Sequence, residues 1–362
     1  MQFNGMAHAA VDLACAQSQL GHQVAICCGN GGFDDVLLTH GVEIFRMPAP
    51  RKSHQLINSL FGIYHAIRRF RPDVIHVHMV ASALLTWPIA RLFQLPFITS
   101  VQNSFSRAAA FMTIGDRVIT GCQAVATTMN SRGIPKRKLR PVLNGTIGTA
   151  RYPRAATTAN LQRPAVITVC GLHPRKGIPD LIRGFETAHE QLPDIHLYIV
   201  GEGPCEAEYR AMVKEATTGH VHFISATPDP RPYMRAADMF VLASLADPAP
   251  LIIAEAREAG LAIVGTAVDG IPELLEFGDA GILIQPQAPE QISRSIVDLL
   301  SDHNKLTTWR ANSQRNIDRL TVERVAIETV AVYSEVVAPH VHRQQPAEAE
   351  ALAIESGTHR DH

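Results

Sequence analysis

The residues best suited to chemistry lie in three turns of the C-terminal half. His173-Pro174-Arg175-Lys176-Gly177 follows an apolar run that ends at Val169 and precedes a helical pattern. Two cations in a strand-to-helix turn suit a diphosphate, because the helix N-terminal amides and the side chains present positive charge together. On charge alone the plainer reading, a solvated basic turn, is preferred. The second turn is Asp247-Pro248-Ala249-Pro250, with Glu255 eight residues after Asp247. Asp247 fits a helix N-cap and Pro248 the first helical position. Glu255 falls in the apolar stretch Leu251 to Ala256, where an unpaired carboxylate is costly. Facing a cleft it would accept hydrogen bonds from two ribose hydroxyls; otherwise it would pair with Arg257 or another cation. The third turn is Val268-Asp269-Gly270-Ile271-Pro272-Glu273. Gly270 permits close backbone approach and Pro272 starts a helix, so this is either a phosphate contact or a tight turn. All three turns follow strands, which brings them to one edge of one sheet.

The elements that position these turns alternate between helical and short apolar patterns, as in α/β folds with parallel sheets. In the first half, helices are expected from Met6 to Leu20, ending at Gly21, and from Leu56 to Phe70. Strands are expected at His22–Cys28, Val42–Phe45, Asp73–His78, Phe97–Val101, Val118–Thr120 and Leu139–Leu143. His76 and His78 are expected to face opposite sides of their strand, one packed and one lining the cleft, without sharing a metal. After Asn144-Gly145 the pattern lapses, and Thr146 to Arg163 is polar and aperiodic. It restarts with strands at Ala165–Val169, Ile195–Val200, Met239–Leu242 and Ala262–Val264. Helices are expected at Ile178–Gln191 and Gln291–Leu300, then one long helix through about Val337. The expected organisation is a doubly wound N-terminal domain at 1–150, a linker at 151–163 and a second such domain at 164–325. A helix at 326–338 would pack back on the first domain, ahead of a disordered tail at 339–362. Two such domains leave a cleft at the carboxyl ends of their strands, where open α/β sheets bind ligands.

Composition narrows the class of partner. The chain has 362 residues, 46% hydrophobic and 19% charged, with formal net charge -1. Without a basic excess, nucleic acid is not expected as a partner. The six cysteines form no C-x-x-C pair and mostly lie in apolar runs, which points to a reducing, cytoplasmic compartment. Met1 to Ala10 show no charged n-region or apolar h-region, and no apolar run reaches about 20 residues, so a soluble or at most peripheral protein is expected. The helix from Leu56 ends in Arg68, Arg69 and Arg71; it offers contact with an anionic membrane surface, although a crossover helix packed on its own sheet is the preferred reading.

The residues from Val169 to Glu276 resemble the retaining GT-B glycosyltransferases of family 4, also called glycosyl transferases group 1. Cys170-Gly171-Leu172-His173-Pro174-Arg175-Lys176-Gly177 is similar to that family's basic loop, and Gly201-Glu202-Gly203-Pro204 to its turn beside the nucleotide. Asp247 and Glu255 are similar to its paired acids with seven residues between them. The stretches Ala236 to Val241, Glu258 to Ala262 and Gly270 to Leu274 also match. In the first half, Gly21 to Val24, Asp73 to His78, Asp116 to Ile119 and Asn144-Gly145 fall in the family's order, and Asn4-Gly5 takes the place of its glycine pair. The resemblance implies that Lys176, with Arg175, contacts the donor diphosphate, that Asp247 touches the donor sugar and that Glu255 touches the ribose. Gly201, Gly203, Pro248, Leu251 and Gly270 would complete the donor site. Gly5, His78 and Gln102 would line the acceptor side. The family's first acid is usually glutamate, whereas here it is Asp247. Pro250 replaces a glycine and offers no N–H. Gly171 replaces an arginine, and Gln102 a histidine. The family's opening strand has no counterpart before Asn4, so the N-terminal domain is expected to lack its first strand, whether from a start placed too far downstream or because the chain is a fragment.

The resemblance implies a metal-independent transfer, without cofactor, of a sugar from a nucleotide-diphosphate sugar to a glycan, lipid or polysaccharide precursor, with retention of configuration. The alternative is a weakened or non-catalytic homologue that binds a nucleotide sugar or a partner protein, since fold does not dictate function. A GT-B-like epimerase or phosphorylase fits the spaced acids and the basic turn less well.

Overall fold

The structure is a computed structural model that describes residues 5–29, 31–47, 53–102, 104–152 and 157–337. Asn4 and the expected tail at 339–362 lie outside the described residues. The first domain runs α1 (Gly5–Gln19), β1 (Ala25–Cys28), α2 (Asp34–Thr39), β2 (Glu43–Arg46), α3 (Ser53–Phe70), β3 (Ile75–Val77), α4 (Val80–Leu92) and β4 (Phe97–Val101). A 3-10 segment (Arg107–Ile114), β5 (Arg117–Thr120), α5 (Gln123–Ser131) and β6 (Leu139–Pro141) complete it. Its strands are parallel but stand in two pieces: β1 pairs with β2, and β3, β4, β5 and β6 pair in that order. Among the described residues no strand joins the two pieces.

The second domain comprises β7 (Ala165–Val169), α6 (Ile178–His189), β8 (His196–Val200), α7 (Glu206–Met212), β9 (Val221–Ile224), α8 (Arg231–Ala236), β10 (Met239–Leu242), α9 (Leu251–Glu258), β11 (Ala262–Thr266), α10 (Ile271–Leu274), β12 (Ile282–Ile284), α11 (Pro289–Leu300) and α12 (His303–Ser313). The six strands form one parallel sheet in the order β12-β11-β10-β7-β8-β9. Both faces carry helices, so the central strands are apolar throughout: Val166, Leu197, Met239 and Val241 pack on one side, Ile167, Val200, Phe240 and Leu242 on the other.

The single long helix expected to reach about Val337 is not formed. Asp302 caps α12 by accepting from the amides of Asn304 at 2.9 Å and Lys305 at 3.1 Å, which restarts the helix after Ser301. Asn316 then adopts a left-handed conformation, φ 46°, and a 3-10 turn (Ile317–Leu320) returns the chain to the first domain. There the Ile147 amide donates to the Leu320 carbonyl at 3.0 Å. A last helix, 322–337, lies against the first domain. Val332 and Val336 pack on Ile98, Ile119 and Val142. Glu335 accepts from Arg117 and Arg140, each at 2.7 Å, and these hydrogen bonds hold its carboxyl down at about 2.

His76 and His78 do not face opposite sides. Residues two apart on a strand point the same way, and the two rings sit 4.3 Å apart between centroids. His76 Nδ1 meets Tyr333 Oη and His76 Nε2 meets Ser100 Oγ, both at 2.6 Å. Among the described residues no three His, Cys, Asp or Glu side chains are grouped to hold a metal ion, and no helix is long and apolar enough to cross a membrane.

Four histidines gather near the N-terminal ends of β8 and β9. His196 stacks on His220 at 4.7 Å, His189 meets His220 at 4.4 Å, and His196 Nδ1 lies 3.1 Å from His222 Nε2. Desolvation, then repulsion from His220, pushes His189, His196 and His222 below the usual 6.5. The unfolded chain therefore takes up these protons first, so their contribution to stability is full above about pH 6.5 and declines below it. We expect calorimetric melting temperatures to fall between about pH 7.5 and 5.5, and the fall to shrink in a His196→Gln/His222→Gln protein. An equal fall in both proteins would contradict the assignment.

Candidate functional site

The turns after β7, β8 and β10 pack against one another. Leu172 N donates to Glu202 O at 2.9 Å, and Leu245 N to Arg175 O at 2.7 Å. Gly177 has φ 63°, and a Cβ there would lie 1.9 Å from Ala243 O, so only glycine lets the basic turn seat on the β10 turn. Gly201 and Gly203 serve the same approach, since a Cβ on either would meet the carbonyls of Cys170 and Leu172. The packing brings Lys176 Nζ to 2.5 Å from Asp247 Oδ2, with Ser244 Oγ donating to the same oxygen at 3.3 Å.

Asp247 does not take up the helix-cap role that its Asp-Pro sequence allows. α9 begins at Leu251 behind Pro250, and the Asp247 carboxylate turns to Lys176 and Ser244 instead. Its amide donates to Asp269 Oδ2 at 2.7 Å, which ties the second turn to the third. Gly270 is required by packing: a Cβ would lie 2.1 Å from Pro248 O and 2.8 Å from Cys122 Sγ of the first domain. Glu273 accepts from the Gln123 amide at 2.8 Å, again across the domains. Arg175 is exposed, its guanidinium 5.2 Å from the Phe105 ring of the first domain.

Glu255 is buried and pairs with a cation, but not Arg257. Arg257 is itself fully buried, donating to the carbonyls of Ser313 and Leu274 at 2.8 Å and to Glu276 at 2.7 Å. The partner of Glu255 is Arg151, at 3.6 Å. The Arg151 side chain has no exposed surface and clasps Asp12 of α1 through two contacts, at 2.8 and 3.1 Å. It also donates to Thr146 Oγ1 at 2.7 Å and Tyr152 Oη at 2.8 Å. Two guanidinium groups lie over the Tyr152 ring, Arg151 at 4.5 Å and Arg231 at 4.3 Å. Desolvation pushes the Glu255 carboxyl up to about 7, against the opposing pull of Arg151. Asp12, Arg151, Tyr152 and Arg231 escape a reading of the sequence. The available signal was Asp12 within the apolar run of α1, a buried carboxylate in search of a cation.

On the first domain's side, Gln102 Oε1 accepts from Asn144 Nδ2 at 3.1 Å, and Asn144 also donates to Ala249 O at 3.0 Å. Cys122 Sγ donates to Pro248 O at 3.1 Å. Gln102 therefore sits beside Asn144 at the domain junction. His78 borders a cavity of about 20 Å³ with Asp12, His76, Ser100, Gln102 and Asn144, enough for one water. Among the described residues its Nδ1 has no hydrogen-bond partner, and desolvation lowers its imidazole to about 4. Gly5 is the exposed first residue of α1, and among the described residues nothing comes within 4 Å of a Cβ built on it.

Residues 163–302 match the family model of glycosyl transferases group 1, and residues 3–146 match that of glycosyltransferase family 4. The lipopolysaccharide core biosynthesis glycosyltransferase LpsE of Rhizobium meliloti is 24% identical over 249 residues, 68% of this chain and 70% of that protein. The phosphatidyl-myo-inositol mannosyltransferase of Mycolicibacterium smegmatis is 26% identical over 45% of this chain, and the match spans 42% of its own length. Anabaena Alr3699/HepE, solved in complex with UDP-glucose, superposes with a TM-score of 0.76 at 18% identity, over 92% of this chain and 97% of that one. WaaG, a glycosyltransferase involved in lipopolysaccharide biosynthesis, gives a TM-score of 0.67 at 15% identity over 92% and 97%. At these identities the solved structures establish a shared two-domain fold. One family model falls on each domain, the second spanning the basic turn and both acids, and the chain belongs to the family 4 glycosyltransferases of GT-B fold.

Proposed function

We propose that this chain moves a sugar from a nucleotide-diphosphate sugar to a glycan, lipid or polysaccharide-precursor acceptor, with retention of anomeric configuration and without a metal ion. The observation that carries the reading is the Lys176–Asp247 contact at the meeting point of three strand-ending turns. An ammonium has three N–H groups. One is engaged by Asp247, which leaves the others to meet diphosphate oxygens. Charge accumulates on the leaving diphosphate as the sugar–phosphate bond breaks, so a cation fixed there stabilises the transition state more than the ground state. Arg175, braced on Phe105, is a second cation that reaches the same opening and takes over from the arginine that Gly171 displaces.

Asp247 accepts from Lys176 and Ser244 through one carboxylate oxygen, and its other oxygen is available to orient a sugar hydroxyl. Glu255, once ionised, accepts from the ribose hydroxyls. Pro250 cannot donate, so the sugar is oriented by Asp247 without a backbone amide at that position. The acceptor approaches from Gln102 and His78, on the side of the first domain. UDP accompanies the HepE structure, which puts UDP-sugars first among donors to test. The reading as a homologue that binds without transfer is not favoured, because the paired acids, the basic loop and the matched families are those of transferases.

Three outcomes are expected. A thermal-shift screen against UDP-, GDP-, ADP- and TDP-sugars raises the melting temperature with one nucleotide, since a ligand of the native state stabilises it by mass action; the shift disappears in Glu255→Ala. No shift with any of the four would defeat the donor site. Lys176→Ala lowers donor turnover by about 100-fold or more, the scale of losing one preorganised charge donor; unchanged turnover would sink the assignment. Arg151→Met leaves the buried Asp12 carboxylate without its cation and costs about 3 kcal/mol in chemical denaturation. A cost near zero would mean that Arg151 is not the clasp described above.

A further inference from the structure

One exposed aromatic ring faces the donor turns from across the cleft. Phe105 lies beyond the end of β4, three residues past Gln102, and 40% of it is exposed. The apolar cluster of that region takes in Val101, Ala109 and Met112, but not Phe105. Its backbone is nonetheless fixed. Arg132 donates to the carbonyls of both neighbours, Ser104 and, at 3.3 Å, Ser106. Ser104 is buried, and Ser106 Oγ caps the 3-10 segment by accepting from the Ala108 amide at 3.1 Å. The chain is therefore held on either side of a ring that the core does not use.

The opposite wall is fixed as well. The Arg175 carbonyl accepts from the amides of Leu245 at 2.7 Å and Ala246 at 3.4 Å, which sets the basic turn against the turn that carries Asp247. From there the Arg175 guanidinium lies over the Phe105 ring, 5.2 Å from its centroid. That contact is looser than the 4.5 and 4.3 Å that Arg151 and Arg231 keep to the Tyr152 ring, and Arg175 is exposed where Arg151 is buried. Exposed cation–π contacts are weak, whereas guanidinium and phosphate pair strongly. A diphosphate held at Lys176 therefore draws the guanidinium off the ring and opens that face to the cleft. Phenylalanine offers no hydrogen bond there, so it recognises a flat, apolar surface. A pyranose ring has one: its axial C–H bonds make one face apolar, while its hydroxyls stand around the rim. Stacked on Phe105, a sugar keeps rim hydroxyls toward Gln102 on its own side and toward Asp247 and Lys176 across the cleft. A bare phosphate or a small hydroxylated side chain lacks such a face.

We propose that Phe105 is the platform on which the acceptor stacks, and that the group it receives is a pyranose ring, admitted once the donor diphosphate has taken Arg175. This rests on the transfer reading and narrows its acceptor to a sugar residue, of a free glycan or of a glycolipid. The test is saturation-transfer difference NMR on the full chain with methyl and octyl pyranosides of glucose, galactose, mannose and N-acetylglucosamine. It is run with and without whichever of UDP, GDP, ADP and TDP calorimetry shows to bind. At least one pyranoside is expected to bind through the protons of one ring face, and more tightly with the nucleotide present. Phe105→Leu, which keeps apolar bulk but loses the flat ring, weakens that binding about fivefold or more, and Phe105→Trp retains it. An octyl pyranoside that binds better than its methyl counterpart identifies a glycolipid acceptor, and equal binding a free glycan. No pyranoside bound by a chain that binds a nucleotide, or equal binding by Phe105→Leu, overturns this inference and leaves the transfer reading standing. So does a loss of nucleotide affinity in Phe105→Leu as large as its loss of pyranoside affinity, since the ring would then serve the donor. A chain that binds none of the four nucleotides overturns both.

Discussion

A single buried cation joins the parts of this molecule that must stay in register. Arg151 stands where the chain leaves the first domain, grips Asp12 on α1 and faces Glu255 on α9 of the second domain. A guanidinium without exposed surface persists only where carboxylates and hydroxyls meet it, because desolvating it costs several kcal/mol. Asp12, Thr146 and Tyr152 satisfy it at hydrogen-bond distance, and Glu255 stands farther off. That inequality has a chemical consequence. Asp12 takes most of the charge compensation, so burial dominates at Glu255 and its carboxyl titrates about 7, where a ligand can shift it.

The donor-side turns depend on a different constraint, the distance of approach between backbones. Gly177 on the β10 turn, Gly201 and Gly203 on the β7 turn, and Gly270 on Pro248 each occupy a gap that a methyl group would close. The reward is that Lys176, Asp247 and Asp269, drawn from three separate crossovers, are hydrogen-bonded in one chain of contacts. Opposite them the first domain contributes Asn144, Cys122 and the Gln123 amide, all bonded to the same turns. The cleft is therefore set by polar contacts across the domains.

Much of this was legible in the sequence, for reasons that also mark where legibility stopped. Phe97–Val101, Ala165–Val169 and Met239–Leu242 have the bounds expected of them, because strands buried on both faces read as unbroken apolar runs. Short elements with mixed faces, such as α2, α5 and β12, carry too few residues to show a period. The basic turn and the paired acids were visible because their spacing is local. Arg151 was not visible: it opens a polar, aperiodic stretch that reads as a linker, and its burial is decided by α1 and α9, more than a hundred residues away on either side. Of the two local uses of Asp247, cap or site residue, the cap is the one that is not formed. Asp-Pro has a good local use as a cap, and a lysine from another turn claimed the side chain instead.

The most direct test of this account is the pH dependence of donor affinity, measured by calorimetry with a nucleotide-diphosphate sugar whose phosphates do not titrate near neutrality. If Glu255 receives the ribose and ionises about pH 7, affinity should be several-fold weaker at about pH 6 than at about pH 8. Glu255→Gln should bind weakly and without that slope. The same slope in both proteins, or none in the parent, would contradict the claim that the carboxylate facing Arg151 is the donor's anchor.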